Sequence, residues 1–564
     1  MRLIKPLSRF RSSFTAPLAA SWVTLALLAG CATAPKPEPM KLQVLAINDF
    51  HGNLLPPAAF RMPDPNRQGE DQRIPVGGSE ALATAVKTLR EGKPNHVFVA
   101  AGDLIGASPL LSALFFDEPA IESLSTMGLH FSAVGNHEFD RGKVELLRRQ
   151  NGGCHPTDGC RGPSAFKGSR FQYLAASTID IATGKPLLPA YQIRHFEGIP
   201  VAFIGLSLEG TPGLVMPSGV AGLRFEDEAE TINRLIPEIR AQGAETIVVM
   251  IHEGGYPTGG YNECPGLSGP ILDILKRMDK AVDLVVTGHT HRAYNCMIEG
   301  RRVTSGDKYG SIVTDIELRI DRKTRDVVGS QANTVLVRLD QFAKDPEQTA
   351  LLAAYIEKAK PLTDRPVGLL AAEVRASLNF GPVSASPMGQ LVADAQLAAT
   401  QKEAQAEIAF MNSCGVRAGL PMREGGVIRY EDLFTAQPFD NQLVTMSLSG
   451  AELIALLQRQ WRDDRPCNFL HGSEGFEYRF NPKLARPDRL LVDSIRLNGQ
   501  PIEPQRDYRI TVNSFMAEGG DGFVEFTKGR DRRVGPRDID ALEAYVTQLR
   551  VVQPPPLNRV VAVN

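Results

Sequence analysis

The chain has 564 residues, which is too long for one ordinary hydrophobic core and predicts two large domains. Its 62 basic and 64 acidic residues nearly balance, which argues against a general nucleic-acid-binding protein, since such proteins usually carry a basic excess. An apolar content of 43% excludes a largely disordered chain and predicts a globular protein.

The first 30 residues have the pattern of an export signal. Basic residues between Arg2 and Arg11 precede an apolar run at 22–29, which is too short to cross a bilayer comfortably. The run leads directly into Leu-Ala-Gly-Cys, which ends at Cys31 and resembles the bacterial lipobox. The resemblance implies a lipid on Cys31 and an exported lipoprotein, periplasmic or on the cell surface, anchored to a bacterial membrane, with the outer membrane favoured. The alternative is an ordinary signal peptide with a chance cysteine.

A proline-rich stretch follows the signal, and we interpret 31–41 as an extended tether. Setting Cys31 aside, the seven cysteines leave six, an even number that favours disulfides in an exported protein. The sequence alone does not define their connectivity. The candidate pairs are Cys154 with Cys160, which bracket a short polar loop, Cys264 with Cys296, and Cys414 with Cys467.

Five apolar runs in the first half end in residues that can bind a metal ion. The run at 42–47 leads into Asp49 and His51, which point to the same side of an extended chain because side chains alternate. Four later runs end in the sequences GD, GNHEFD, HEGG and GHTH, and helical patterns such as 80–90 and 226–241 lie between several of them. This alternation predicts an α/β layered domain whose site lies at the carboxyl ends of the strands.

Five of the ten histidines fall in these clusters. A lone histidine at a strand end is more often structural, but five convergent runs favour metal binding. Imidazole, carboxylate and amide ligands together favour Zn²⁺ or Mn²⁺ over Ca²⁺ or Cu⁺. Seven ligands are too many for one tetrahedral ion and fit two ions that share a carboxylate, roughly 3.5–4 Å apart, as in phosphate ester hydrolysis. The candidate ligands are Asp49, His51, Asp103, Asn136, His252, His289 and His291.

The order and spacing D-x-H, G-D, G-N-H-E, H and G-H-x-H resemble the calcineurin-like metallophosphoesterases. The resemblance implies an α/β four-layer sandwich with two divalent ions. It implies that His137 is not a ligand but lies beside the scissile phosphate, stabilises the transition state and can protonate the leaving group, with Asp140 orienting it. The alternative for Asp140 is a solvated residue at a helix start. In the implied scheme one ion takes Asp49, His51 and His291, the other takes Asn136, His252 and His289, and Asp103 bridges them.

The second half mixes helix and strand signals. Helical spacing at 391–399, a helix start at Ser449 and a type I′ turn at Asn498-Gly499 predict a mixed α/β domain. No oligomeric state is predicted. The predicted segments are the signal at 1–30, the tether at 31–41, the metallophosphoesterase domain at 42–340, an amphipathic linker helix at 341–362, the second domain at 363–553 and a tail at 554–564.

Three motifs of this half resemble the C-terminal domain of the 5′-nucleotidase family, which includes bacterial UDP-sugar hydrolases and animal ecto-5′-nucleotidases. They are NSCGVR from Asn412, QPFDN from Gln437 and NSFMAEGGDGF from Asn513. The residues expected to bind a nucleotide are Phe439 and Phe515, stacking on the base, Asp521 on the ribose hydroxyls, Arg417 and Asn412 at a phosphate oxygen, and Asn441 at the base edge. Taken one at a time, these residues have simpler interpretations. Phe439 and Phe515 could be core residues, and the glycines around Asp521 could form a turn.

Three features depart from the family pattern. Cys414 replaces a small residue, Asp440 replaces the glycine of P-F-G-N, and no arginine precedes Pro387 at 377–384, so we expect one substrate contact of the family to be missing. The sequence predicts an exported two-metal phosphohydrolase in which metal-activated hydroxide removes the 5′-phosphate from nucleotides, with UDP-sugars as further substrates. The alternatives are a 2′,3′-cyclic nucleotide phosphodiesterase, an NAD or dinucleotide pyrophosphatase, a sulfur-ester hydrolase and a non-catalytic nucleotide-binding lipoprotein.

Overall fold

The computed structural model describes residues 38–57, 59–63, 71–376, 385–461 and 469–563. The predicted signal, Cys31, most of the tether, Cys467 and the stretch 377–384 therefore lie outside the described residues. From Pro39 onward the chain belongs to one compact unit. Within the described residues, no helix is both long and apolar enough to span a membrane.

Two six-stranded sheets form the centre of the first domain. The first sheet contains, in spatial order, Val327–Leu336, Ile312–Ile320, Met40–Ile47, His96–Ala100, Phe131–Ala133 and Gln172–Leu174. The second contains Ala293–Ile298, Arg301–Gly306, Leu284–Thr287, Thr246–Ile251, Ile199–Leu206 and Tyr191–Phe196. Smaller sheets contain Leu223–Phe225, Thr178–Asp180 and Lys185–Pro186, and Phe60–Pro63 with Asp71–Ile74.

Alternation along the strands generates the layers. Val44 and Ala46 pack in a cluster with Phe203 of the second sheet, whereas Leu45 and its neighbours pack among the helices on the other face. Apolar residues of the second sheet pack in turn against their own helices. The predicted four-layer α/β sandwich is confirmed. Its helices are Ser79–Arg90, Leu110–Ala113, Glu118–Met127 and Gly142–Asn151 on the first sheet, and Glu228–Ala241 and Ile271–Arg277 on the second.

Helix Pro346–Thr363 lies where the linker helix was predicted, but it is not a free connection. It begins later than expected because the Asp345 carboxylate caps it, accepting hydrogen bonds from two backbone N–H groups of the first turn. Leu352, Tyr355 and Ala359 are buried in the core beneath the first sheet's helices. The helix therefore packs against the first domain, while Leu362 near its end packs against a core cluster of the second, and the predicted linker bounds of 341–362 stay a prediction.

In the described residues of the second domain, the chain forms three sheets and five α-helices. Its five-stranded sheet contains Leu470–Gly472, Ile408–Asn412, Asp507–Asn513, Gln442–Ser449 and Arg530–Arg537. The other two sheets contain Gln500–Pro501, Leu490–Leu497, Phe476–Phe480 and Val560–Ala562, and Val427–Arg429, Pro366–Leu370 and Val551–Val552. The helices are Pro387–Thr400, Tyr430–Ala436, Gly450–Gln458, Ser514–Ala517 and Asp538–Leu549.

Local predictions in this domain are confirmed. Ser449 caps helix Gly450–Gln458 through a capping box with Glu452. Asn498 and Gly499 both have positive φ between two paired strands, as a type I′ turn requires.

Both predicted ends of the chain need correction. Strand Val560–Ala562 pairs with Phe476–Phe480, so the predicted tail at 554–564 is part of the second domain. At the other end, Met40 and Lys41 already pair with the strand Ile312–Ile320, and the predicted tether at 31–41 gives way to the first sheet at Met40.

Two predicted disulfides are confirmed, Cys154–Cys160 and Cys264–Cys296. Cys414 also takes part in a disulfide. Because Cys467 lies outside the described residues, its pairing with Cys414 stays a prediction.

Candidate active site

Five of the predicted ligands sit on turns with left-handed backbone. This conformation is unusual for residues other than glycine, although Asp, Asn and His tolerate it best, and each instance costs about 1–3 kcal/mol. Such strain is concentrated at functional sites, because the surrounding fold must hold it in place. The residues and their φ angles are Asp49 (49°), His51 (45°), Asp103 (49°), His289 (66°) and His291 (53°).

One group of candidate ligands contains Asp49, His51 and His291, whose ligand atoms lie within 4.8 Å of one another. The Nε2 atoms of His51 and His291 are 3.1 Å apart. The Asp49 carboxylate is fixed by the amide of Asn48 at 2.6 Å and by the backbone N–H of His289 at 3.0 Å. All three ligands are buried, so their orientation is set by the fold.

A second group contains Asp103, His252 and His289, again within 4.8 Å. The Asn136 Oδ1 atom lies 3.1 Å from His252 Nε2 and 3.1 Å from His289 Nδ1, which adds the predicted amide ligand. Asp103 Oδ2 lies 3.0 Å from His252 Nε2 and 3.6 Å from His51 Nε2, and so stands between the two groups. The structure thus brings together all seven predicted ligands.

The donor atoms fit divalent cations. His51 and His252 each donate from Nδ1 to a backbone carbonyl at 2.8 Å, Gly106 and Ala101 respectively, so the lone pair of Nε2 is directed at the cluster. Burial holds the pKa values of His51 and His291 well below the usual histidine range. The Nε2 lone pair of His51 faces His291 Nε2 at 3.1 Å, and neutral imidazole is the form that binds metals.

His137 faces the same cluster, but its Nδ1 is held by a carboxylate and not by a backbone carbonyl. Its Nδ1 lies 2.7 Å from Asp140 Oδ2, and its backbone N–H donates to Asp103 Oδ1 at 2.9 Å. Burial lowers the pKa of His137, but the carboxylates of Asp140 and Asp103 outweigh burial and raise it. The ring is 12% exposed, toward the cavity described below. A cationic imidazole that reaches the cavity can bind or protonate an anion.

Glu138 is a residue whose role the sequence did not suggest, although it is the last letter of G-N-H-E. Its buried carboxylate accepts hydrogen bonds from the backbone N–H groups of Gly135 (2.6 Å), Asp103 (3.0 Å) and Leu104 (2.8 Å). It therefore ties together the turns that follow two neighbouring strands. Gly135 is required in this arrangement, because a Cβ there would overlap the Asp103 carboxylate.

We expect Glu138→Ala to lower the free energy of unfolding by about 3 kcal/mol or more, because it leaves three buried N–H groups unpaired at about 1–3 kcal/mol each. Denaturant titration of the metal-free protein measures the change. Glu91→Ala, at an exposed glutamate, is the matched control and should alter stability by no more than about 0.5 kcal/mol. Equal stability of the two variants would contradict this role for Glu138.

A cavity of about 820 Å³ joins the two domains above the ligand cluster. Asp49, His51 and His252 are not among the residues lining it and belong to the buried part of the cluster. The predicted residues that line the cavity are Asp103, Asn136, His137, Asp140, His289 and His291 from the first domain, and Asn412, Arg417, Phe439, Asn441, Phe515 and Asp521 from the second.

Phe439 connects the domains directly. Its ring stacks on His137 with centroids 5.9 Å apart and planes inclined by 22°. The Arg417 guanidinium carbon lies 5.8 Å from the centre of the same ring. Arg417 is partly exposed and lines the cavity, where a guanidinium can bind an anion.

The remaining predicted substrate residues are held by their neighbours. Asn412 donates to Asp521 Oδ2 at 2.7 Å, and Ser514 donates to Asn441 Oδ1 at 3.1 Å. Phe515 lies across Gly520, where any Cβ would overlap the ring. Gly520 of the third motif therefore leaves room for the Phe515 ring.

Asp440, which departs from the family pattern, has a φ of 58°. A glycine adopts this left-handed conformation without strain, which explains why the family motif has glycine at this position. Aspartate is among the residues that tolerate the same conformation. Its carboxylate accepts a hydrogen bond from Arg537 at 3.1 Å.

Comparisons with known proteins agree with the family resemblance of each half of the chain. Residues 42–293 match the family model of the calcineurin-like phosphoesterases, and residues 367–528 match that of the 5′-nucleotidase C-terminal domain. Endonuclease YhcR of Bacillus subtilis (strain 168) is 31% identical over 516 residues, which cover 91% of this chain and 40% of YhcR. The chain therefore spans well under half the length of this relative.

Two further relatives are covered almost completely. The 5′-nucleotidase of Vibrio vulnificus (strain CMCP6) is 26% identical over 568 residues, which cover 93% of this chain and 94% of that protein. The crystal structure of a 5′-nucleotidase precursor from Thermus thermophilus has a TM-score of 0.75 and 24% identity, covering 93% of this chain and 100% of that one. At this level of identity, the structural likeness shows a shared fold.

Proposed function

The chain belongs to the 5′-nucleotidase family of phosphoric ester hydrolases, and from this premise we propose that it removes the 5′-phosphate from nucleotides in a metal-dependent hydrolysis. One observation carries the proposal. A single cavity is lined both by ligands of the metal cluster and by all six residues expected to hold a nucleotide. UDP-sugars are proposed as further substrates.

Two ion positions are proposed from the ligand groups. Asp49, His51 and His291 would hold one ion, Asn136, His252 and His289 would hold the other, and Asp103 would be shared. When bound, two ions such as Zn²⁺ or Mn²⁺ would supply activated water for in-line attack at phosphorus and neutralise charge on the phosphate oxygens.

His137 and Arg417 act on the phosphate in this proposal. Asp140 holds Nδ1 of His137, which leaves Nε2 to stabilise the charge developing on the leaving oxygen and to protonate it. Arg417, which lines the cavity, binds a phosphate oxygen through its guanidinium.

The nucleoside is bound by the second domain. Phe439 and Phe515 stack on the base, Asp521 accepts hydrogen bonds from the ribose hydroxyls, Asn441 reads the base edge, and Asn412 supports Asp521 and the phosphate. Because Phe439 already contacts His137, the base and the scissile phosphate can be bound together.

A substrate panel tests the proposal. Purified protein with added Mn²⁺ or Zn²⁺ is assayed on AMP, 2′,3′-cyclic AMP, NAD and UDP-glucose. The highest kcat/KM for AMP, with equal release of phosphate and adenosine, is the expected result. A higher value for the cyclic nucleotide or for NAD would assign the alternative activity, and no turnover of any substrate would indicate a binding protein.

We propose that the protein is exported and lipid-anchored, on the signal pattern and Cys31 alone. Mass spectrometry of the protein from a bacterial membrane fraction is expected to give a mature N-terminus at lipid-modified Cys31. An unmodified N-terminus elsewhere would contradict the anchor.

We expect Phe515→Ala to lower kcat/KM for AMP about ten- to a hundredfold and to spare p-nitrophenyl phosphate, which has no base to stack. Steady-state kinetics on both substrates measure the effect. Phe60→Ala, which alters a partly buried phenylalanine outside the cavity lining, is the control and should change neither value. An equal loss for both substrates in Phe515→Ala would make Phe515 a support of the fold, and no loss would remove it from the site.

A further inference from the structure

The segment 307–311 crosses from the second sheet to the first and lies against one group of the candidate metal ligands. Asn48 ties the start of the segment in place. Its amide nitrogen donates to the carbonyl of Asp307 at 2.6 Å, and its Oδ1 accepts from the backbone N–H of Gly306 at 2.6 Å. Because Asn48 directly precedes Asp49, the crossover is fixed to the turn that carries this ligand.

Tyr309, in the middle of the segment, contacts all three residues of that ligand group. Its backbone N–H donates to the carbonyl of Asp49 at 2.7 Å. Its ring makes edge-to-face contacts with His51 and His291, with centroids 5.8 and 5.9 Å apart and planes inclined by 76° and 64°. The two imidazole rings lie 5.1 Å from each other, so the three rings form a closed triangle. Rotation of either imidazole is therefore restricted by Tyr309.

Among the ligands, the ring contacts of Tyr309 belong to one group only. Within the described residues its ring meets neither His252 nor His289, which contact each other at 5.2 Å in the second group. Its other ring neighbour is Lys308, whose Nζ lies 4.9 Å from the ring centre. Tyr309 is partly exposed and is not among the residues that line the cavity. It can therefore influence one ion position without touching a substrate.

The backbone of Tyr309 is strained. Its φ is 59°, in the left-handed region that a bulky residue rarely adopts and that glycine adopts freely. Such strain is concentrated at functional sites, where the surrounding structure holds it in place. A position whose backbone suits glycine nevertheless carries a large ring. We take this as support for a role of the ring beyond forming the turn.

We propose that Tyr309 is a positioning residue for one of the two ions, the ion proposed for Asp49, His51 and His291. The inference rests on the proposed two-ion site. The ring of Tyr309 fixes the planes of the two imidazoles, whose Nε2 atoms face each other at 3.1 Å, and its N–H fixes the turn of Asp49. Replacing a residue that orients metal ligands typically lowers metal affinity about 10- to 100-fold.

Calorimetric titration of the metal-free protein with Mn²⁺ tests the inference without requiring turnover. The unaltered protein is expected to bind two ions. Tyr309→Gly removes the ring and relieves the backbone strain, so the fold should survive. We expect this variant to bind one ion about 10- to 100-fold more weakly and the other nearly as before. Tyr309→Phe keeps the ring and should bind both ions like the unaltered protein.

Tyr261→Ala is the matched control. The Tyr261 ring is also partly exposed and makes an edge-to-face contact, with Phe60 at 5.9 Å, but it belongs to neither ligand group. This variant should bind both ions normally. Thermal denaturation of the metal-free variants checks that each is folded.

Electron paramagnetic resonance and diffraction identify the ion that is lost. Two Mn²⁺ ions roughly 3.5–4 Å apart are magnetically coupled, whereas a single ion is not. At limiting Mn²⁺, Tyr309→Gly should therefore give the spectrum of an uncoupled ion. Crystals of this variant should keep the ion at Asn136, His252 and His289.

Unchanged affinity for both ions in Tyr309→Gly would overturn the inference. An equal loss at both positions would overturn it as well, since Tyr309 would then support the fold in general. A loss in Tyr309→Phe as large as that in Tyr309→Gly would show that the ring contacts are not the cause. Failure of the proposed function would look different, because the unaltered protein would bind both ions without hydrolysing AMP, and Tyr309→Gly would still lose one of them.

Discussion

Replacing Asp103 by alanine is expected to abolish hydrolysis and to reduce the bound metal. Asp103 Oδ2 lies between His252, at 3.0 Å, and His51, at 3.6 Å, and is the carboxylate shared by the two ligand groups. Without its charge, two divalent cations in one buried site would repel each other with less compensation. Since loss of a single stabilising hydrogen-bond donor already costs an enzyme about 10²–10³ in kcat, a loss of about 10³-fold or more is expected here.

Metal content and kinetics are measured on the same preparations. Asp103→Asn is a useful second variant, because its oxygen can still accept the His137 N–H at 2.9 Å while the charge is lost. Asp158→Ala, at a carboxylate on the Cys154–Cys160 loop outside the cavity lining, is the control and should retain both metal and activity. Full activity of Asp103→Ala at unchanged metal content would refute the shared-ligand assignment.

His137→Ala is expected to lower kcat by about 10²–10⁴-fold while metal content stays at the level of the unaltered protein. The reason is that His137 is held by Asp140 at 2.7 Å and acts on the phosphate rather than on an ion. Its raised pKa, caused by the Asp140 and Asp103 carboxylates in spite of burial, keeps a proton available for the leaving group.

Asp140→Asn should give a smaller loss of kcat than His137→Ala, because the imidazole remains but loses the carboxylate that orients and charges it. Element analysis distinguishes this role from metal binding. If His137→Ala lost an ion and retained most of its kcat, His137 would have to be reassigned as a ligand.

The sandwich and its ligand cluster were predictable because both follow from sequence patterns only a few residues long. Apolar runs such as 42–47 must be buried on both faces, and polar residues directly after parallel strands converge at one edge. Helix Ser79–Arg90 was predicted to within a residue at its start, and the Asn498-Gly499 turn was predicted from two residues alone.

The features that escaped prediction depend on contacts between distant segments. Glu138 reaches backbone groups that follow a different strand, which no periodicity encodes. Strand Val560–Ala562 is identified only by its pairing with Phe476–Phe480, which lies far earlier in the sequence. The amphipathic pattern of helix Pro346–Thr363 predicted a buried face, but not that this face would be buried against the first domain.

Anomalous diffraction from crystals of the protein loaded with Mn²⁺ tests the proposed two-ion site most directly. Two adjacent peaks are predicted, one within ligand distance of Asp49, His51 and His291, the other of Asn136, His252 and His289, with Asp103 contacting both. A single peak at full occupancy, or two peaks that Asp103 does not join, would contradict the two-ion site from which the proposed hydrolysis is argued.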